Sequence, residues 1–302
     1  MPELQAFIPG LYARSEALVQ ATRDLDRGRT RPEAVDEQVE RDVRELVSAQ
    51  ERAGLTFLSD GLLRWQDLFR PLAERSQGLD ARPLTRFLDT NTFFRAVLVE
   101  GEPRLTDPVP APALPAGKWL ATLPAPAAFS RAAGGEASAQ MLAANVLAPQ
   151  IQAYAEAGCA LIVLADPFLA RDGHVEEAVA ALSELPQDVA LVLQLPFGDA
   201  EPVLGRLADA PVEAIGVDFY STRLDGLPEG YPKEIVAGVI DARSSALEDP
   251  AQIEAFVEEL LQRQPAGLSL SVNGDLQFVP EAIAREKIAR LGRSQSELAE
   301  VA

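Results

Sequence analysis

The sequence predicts an α/β fold, a single (β/α)8 TIM-type barrel over residues 1–302. Three observations predict it: eight short apolar runs read as strands, helical patterns separate most of them, and the alternation is regular through the second half. A chain of 302 residues can hold one large barrel or two ordinary domains, either with a substantial core. An open doubly wound sheet is the alternative. No G-x-G-x-x-G stretch or phosphate loop supports a nucleotide-binding version of that sheet.

Phe7 to Gly10 reads as the first strand, and Ser15 as the N-cap of a helix running toward Arg23. Thr30-Arg31-Pro32-Glu33 has capping-box spacing, and Val35, Val39, Val43, Leu46 and Val47 mark one apolar helical face that Gly54 ends. Thr56-Phe57-Leu58 is the second strand and delivers Ser59, Asp60 and Gly61 to its carboxyl end. Residues 100–117 are proline-rich and aperiodic, an irregular connection leading to the third strand, Lys118 to Leu123. A helix follows near Ser138 to Ala157, which Pro149 is expected to kink or split. Apolar runs at Ala160 to Ala165, Val189 to Leu195, Ala214 to Phe219, Ile235 to Ile240 and Leu268 to Val272 supply the remaining strands. Ala251 to Arg263 is the clearest helix, with Ile253, Phe256, Val257, Leu260 and Leu261 on one face. Gly and Pro break the stretch from Ser221 to Lys233 too often for a helix.

Composition narrows the class of function. Apolar residues make up 47% and charged residues 24%, and 27 basic against 46 acidic residues leave a net charge of -19. A polyanion would be repelled, so no nucleic-acid partner is expected. No apolar run approaches the roughly 20 residues that span a bilayer, and the start MPELQAFIPG lacks a basic n-region. A cytoplasmic location without membrane contact is therefore expected. The lone Cys159 excludes an internal disulfide.

Barrel active sites lie at the carboxyl ends of strands. Here those ends deliver carboxylates and amides: Asp60, Asp166, Gln194, Asp218, Asp241 with Arg243, and Asn273 with Asp275. With Arg14 and Arg64 nearby, such a ring can bind a polar ligand; equally, it can be a set of paired ions at turn starts, where Asp and Asn are favoured in any barrel. Asp166, Asp218 and Asp241 also offer an oxygen-only site for a hard cation such as magnesium, though their spacing does not require one. In Arg82 to Arg95, RPLTRFLDTNTFFR, the polar knot Asp89-Thr90-Asn91 between Phe87, Phe93 and Phe94 reads as a fixed turn, either a binding loop or a loop anchored by aromatics.

That segment resembles the T-x-x-F-D-T-N-Y-x-Y block in the amino-terminal half of the cobalamin-independent methionine synthase family, matched at Thr85, Phe87 (displaced by one), Asp89, Thr90 and Asn91. Further blocks similar to the family follow in its order: GLYARSEAL from Gly10, TFLSDGLLRWQDLF from Thr56, ATLPAPAAF from Ala121, LQLPFGDA from Leu193, GVIDARSSALED from Gly238 and LSVNGDLQFVP ending at Pro280. The resemblance implies a barrel of the methionine synthase and uroporphyrinogen decarboxylase type, most like the amino-terminal barrel standing alone. It also implies a zinc ion held by a His-x-Cys pair, a Glu and a second Cys, which activates homocysteine sulfur for attack on methylfolate.

Those ligands are missing. Gln194, Leu195, Pro196 and Phe197 stand where His-x-Cys is expected, Asp218 replaces the Glu, and Val272-Asn273-Gly274-Asp275 holds no Cys. His174, after the turn Arg171-Asp172-Gly173, reads as a surface or helix-start residue, and Cys159 as a core residue. The family's Asp-Glu-Pro appears as Ala165-Asp166-Pro167, and Leu62 replaces an acid after the second strand. No cofactor is expected. The partners expected are a folate or thiol ligand and a separate zinc-bearing methionine synthase chain, which this one assists in methyl transfer. The contacts expected from the resemblance are Arg14, Ser15, Asp60, Arg64, the Asp89-Thr90-Asn91 loop, Asp241 and Arg243, with arginines pairing ligand carboxylates. Two other classes stand beside it: a metal-independent enzyme using carboxylate acid/base chemistry, and a non-catalytic interaction protein. Asp89→Ala or Asn91→Ala is expected to lower the melting temperature if the loop is structural, and to remove ligand binding at an unchanged melting temperature if it is a binding loop; a melting curve with a binding titration separates the two.

Overall fold

The structure, a computed structural model, describes residues 4–86 and 93–301. The chain forms β1 (Gln5–Ala6), α1 (Glu16–Asp26), α2 (Pro32–Ala53) and α3 (Arg70–Glu74), then the antiparallel pair β2 (Ser76–Arg86) and β3 (Phe93–Leu105). Next come β4 (Trp119–Pro124), α4 (Pro126–Ala132), β5 (Ala133–Gly134), α5 (Ala139–Leu142), α6 (Ala148–Glu156), β6 (Cys159–Ala165), α7 (Leu169–Asp172) and α8 (Val175–Leu182). The remainder is β7 (Leu191–Leu195), α9 (Glu201–Leu207), β8 (Ala214–Asp218), β9 (Glu234–Ile240), α10 (Pro250–Gln262), β10 (Gly267–Val272) and α11 (Glu281–Val301).

Seven strands make one parallel sheet in the order β1-β10-β9-β8-β7-β6-β4. Residues 56–58 join its two edges. The Thr56 N–H donates to Ala6 O at 2.8 Å, the Leu58 N–H to Lys118 O at 2.8 Å, and the Leu120 N–H to Leu58 O at 2.9 Å. The ring thus has the eight staves that the apolar runs predicted. Alternate residues face inward, where Phe7, Leu120, Leu161, Val163, Val192, Ala214 and Val236 form a cluster of their own. The opposite faces, with Trp119, Ile162, Leu193, Ile215 and Leu270, pack into the larger core shared with the helices. Among the described residues no helix is long and apolar enough to cross a membrane.

The first strand lies before the predicted run: β1 covers Gln5–Ala6 and not Phe7 to Gly10, because after the Phe7 N–H donates to Leu270 O, Pro9 has no N–H to continue the ladder. Ser15 caps α1 as expected, its hydroxyl accepting from Leu18 N at 3.0 Å. The capping box at Thr30 does not form. Pro32 occupies the first helical position, Arg31 takes the N-cap place without a side-chain bond, and Glu33 falls in the first turn. Gly54 ends α2 in the left-handed conformation, φ 73°. Residues 100–105 belong to β3, so the irregular connection is shorter than the proline-rich stretch; register shifts in the β2–β3 pair hide its periodicity. The helix around Pro149 is split, and a π turn at Ala143–Leu147, closed by the Ala148 N–H on Ala143 O, links α5 to α6.

Two fully buried glutamines brace this frame. Gln50 of α2 donates to Ser59 O (2.8 Å) and accepts from Ser59 N (2.9 Å). Gln150 of α6 does the same for Val109, at 3.1 and 2.7 Å. Each side-chain amide satisfies both backbone groups of an irregular residue, which burial would otherwise leave unpaired.

Helices α2 and α11 touch backbone to side: a Cβ on Gly292 would stand 1.9 Å from Ala53 O. Gly292→Ala is expected to destabilise the protein by about 2 kcal/mol, seen as a lower urea midpoint at unchanged m-value.

Candidate functional site

The carboxyl ends of β7, β8, β9 and β10 hold one buried polar layer. The Asn273 side-chain amide donates to Asp218 Oδ1 at 2.9 Å and, more weakly, to Asp241 Oδ1 at 3.4 Å, while its oxygen accepts from Ala242 N at 2.8 Å. Asp218 also accepts from Tyr220 N (3.0 Å) and from the Ser221 hydroxyl (2.8 Å). Gln194 donates to Val272 O at 3.2 Å. Burial raises the Asp218 pKa, with the donors from Asn273, Ser221 and Tyr220 opposing and Asp241 adding to the rise. Two acids of differing environment joined through one amide form a hydrogen-bonded carboxylate pair.

Phe197 reaches over this layer. It follows β7 yet packs edge-on against Phe278 at 5.3 Å, and a Cβ on Gly274 would stand 2.2 Å from its Cζ, so only glycine fits beneath the ring. Its φ of 61° is rare for a bulky residue. The Arg243 guanidinium lies 5.2 Å over the same ring.

A cleft of about 430 Å³ opens beside the layer, walled by Phe219, Tyr220, Asp241, Leu247, Glu248 and Phe256. Its loop is pinned from behind: fully buried Lys287 of α11 pairs with Glu248 at 2.7 Å and donates to Ala246 O at 2.7 Å. Glu248 in turn accepts from Asp241 N at 2.9 Å. Sequence reading missed Phe197, Glu248 and Lys287. Their one signal is Lys287 itself, a lysine among the apolar Ala284, Ile288 and Leu291 of a helix.

The layer gathers Gln194, Asp218, Asp241 and Asn273 from the expected set, with Arg243 beside it. Arg14, after β1, is half-buried; burial lowers its pKa against the pull of Asp42, and among the described residues it makes no hydrogen bond or ion pair. Ser15 caps α1 and donates to Asp42 at 2.7 Å. Asp60 and Arg64 line a different cleft on the barrel's side, where Asp60 accepts from Leu62 N at 2.9 Å and Arg64 pairs with Asp36 at 2.7 Å. Asp166 faces a third cavity, between α4 and α8. Asp89, Thr90 and Asn91 lie outside the described residues. His174 is exposed at the start of α8, and Cys159 begins β6 with its thiol pushed up to about 11 by burial.

The fold is an α/β barrel whose parallel sheet matches those of solved methionine synthases. The chain covers 99% of itself and 97% of a B12-independent methionine synthase from Shewanella, in complex with selenomethionine, at TM-score 0.74 and 15% identity. It matches a Listeria monocytogenes chain described as a vitamin-B12-independent methionine synthase at TM-score 0.72 and 19% identity, covering 98% of both. In sequence it is 23% identical to the methionine synthase of Sulfurisphaera tokodaii over 96% of this chain and 91% of that protein. It is also 34% identical over 99 residues to the 5-methyltetrahydropteroyltriglutamate--homocysteine methyltransferase of Mycobacterium bovis, a match spanning 13% of that enzyme's length. No family model matches. The resemblance to cobalamin-independent methionine synthases read from the sequence is borne out in these likenesses.

The family's zinc does not fit the residues present. Gln194, Asp218 and Asn273 supply no thiolate or imidazole, and the amide donors of Gln194 and Asn273 are already bonded within the layer, to Val272 O and to Asp218. Among the described residues no group of three or more His, Cys, Asp or Glu is placed to hold a metal ion, so Asp166, Asp218 and Asp241 are not gathered as a magnesium site either.

Asp166 gives the clearest pH signature. Burial pushes its carboxyl up to about 6, although Oδ1 caps α7 by accepting from Phe168 N and Leu169 N, and Oδ2 has no partner. The folded state therefore holds this proton more tightly than the unfolded chain. Its contribution to stability is present in full below the unfolded pKa, near 4, and is lost as pH rises through 6. Asp166→Asn, which keeps the capping oxygen, is expected to be more stable than the parent at pH 7 by on the order of 2 kcal/mol and to flatten the decline between pH 4 and 6. Urea titrations across that range test it.

Proposed function

We propose that this methionine synthase-like chain takes part in methyl transfer from methyltetrahydrofolate to a thiol such as homocysteine by binding the folate or assisting a separate zinc-bearing chain, without a zinc site of its own. The observation that supports this reading is the composition of the strand-end layer, which holds Gln194, Asp218 and Asn273 where the sequence resemblance leads one to expect zinc donors. Arg14 and Arg243 support an anionic ligand. They stand in the loops after β1 and β9, on either side of β10, and neither makes an ion pair among the described residues although the chain carries a net charge of -19. Carboxylates of a glutamylated folate suit such guanidinium groups. Asp241 and Tyr220 in the adjoining cleft offer polar contacts to a pterin or amino acid, and Phe219 and Phe256 an apolar wall.

The Asp218–Asn273–Asp241 bridge favours a second reading, carboxylate acid/base chemistry on another small molecule. Its mark would be turnover without metal and a pH profile governed by the pair.

Methyltetrahydrofolate polyglutamate is expected to raise the melting temperature of the metal-free protein. Arg243→Ala is expected to weaken that binding about ten-fold at unchanged stability, because the side chain is exposed and lies only over Phe197. Stoichiometric zinc in the purified protein, with methyl transfer by this chain alone, would overturn the assisting role. Absence of any shift with folate or homocysteine would turn the assignment to the second reading.

A further inference from the structure

The barrel carries a second cleft, of about 920 Å³, on its side. Its origin is topological. The crossover between residues 56–58 and β4 contains only the five-residue α3; the chain leaves as the β2–β3 pair and returns as the irregular residues 106–118. The outer face of β4 is thus flanked by α2 and α6 without a long helix of its own crossover over it, and Trp119 and Tyr154 stand where that helix would pack.

The cleft is built rather than incidental. Gln50 holds the backbone at Ser59, next to Asp60 on one wall, and Gln150 holds Val109, the first residue of the opposite wall. Trp119 and Tyr154 meet edge-on at 5.6 Å, and the Trp119 indole N–H, on a fully buried residue, has no acceptor. The rim is arginine-rich. Arg64 pairs with Asp36, Arg70 with Glu74 and Arg75 with Asp107, while Arg44 makes no ion pair among the described residues. Burial raises the pKa of Asp60 against the donor from Leu62 N and the pull of Arg64.

We propose that this cleft is a second small-molecule site, separate from the barrel mouth, for a planar aromatic compound carrying an anionic group. The ring lies against Tyr154 and Trp65, with the fully buried Trp119 packed against Tyr154 behind them, and the anion meets Arg44 at the rim. The tyrosine hydroxyl and Arg44 select an acceptor-rich ligand, and the aromatic lining selects a flat one. The site does not depend on the reading at the mouth.

The chain has two tryptophans, Trp65 and Trp119, and both line this cleft, so tryptophan emission reports its occupancy. The probes are 1-anilinonaphthalene-8-sulfonate and its uncharged analogue N-phenyl-1-naphthylamine. The sulfonate is expected to quench tryptophan by energy transfer and to bind at least about ten-fold more tightly than the uncharged analogue. Arg44→Glu, at an exposed and unpaired position of α2, is expected to abolish that preference and leave the uncharged probe unaffected; Arg44→Gln is expected to reduce it. Saturation without tryptophan quenching, equal affinity for the two probes, or indifference of the sulfonate to both Arg44 variants would overturn the proposal.

Discussion

The structure depends on closure of the barrel at its thinnest stave. Residues 56–58 contribute three backbone hydrogen bonds to neighbours on both sides, and β1 beside them is only two residues long. A parallel sheet open at this point would leave the edges of β1 and β4 unpaired and admit water to the interior cluster. The side-chain amide of Gln50 reinforces the closure from α2. It satisfies both backbone groups of Ser59, where the stave turns into a loop, and so fixes the ring and the position of Asp60 in one arrangement.

Once the ring is closed, the inward positions at the strand ends have no water to hydrogen-bond with, and polar residues there must satisfy one another. Asn273 meets this demand by donating to two carboxylates and accepting from a backbone amide. The buried Lys287–Glu248 pair acts one layer further out. Buried ion pairs contribute little net stability against well-packed apolar groups, so the consequence of this one is positional: it ties α11 to the loop that carries Asp241 and shapes the cleft beside it. Phe197, held at positive φ over Gly274, closes the layer from above.

The likeness in fold to methionine synthases runs through the whole barrel, while the strand ends at its mouth carry amides and carboxylates bonded to each other. On the side of the barrel the crossover into β4 contains only the five-residue α3, and two buried glutamines hold the backbone at the walls of the cleft beside it.

Strands and helix faces were legible because burial on a closed barrel writes itself into local periodicity: the apolar runs from Ala160 to Val272 became β6 to β10 within a residue or two at most ends. Local chemistry also decided the Ser15 cap, the Gly54 terminus and the break before Pro149. The strand-end position of Gln194, Asp218, Asp241 and Asn273 was readable too, since barrel topology places them there whatever their partners. Their partners were not. Which carboxylate Asn273 bridges, which acid Lys287 neutralises, and that Asp60 and Arg64 belong to a side cleft rather than the mouth all follow from contacts between residues far apart in the chain. Sequence by itself determined the barrel and the set of polar groups at its mouth, because both rest on repeated local patterns. Only the tertiary structure decided how those groups pair and where space remains, because hydrogen-bond partners and cavities are set by long-range packing that leaves no period in the chain.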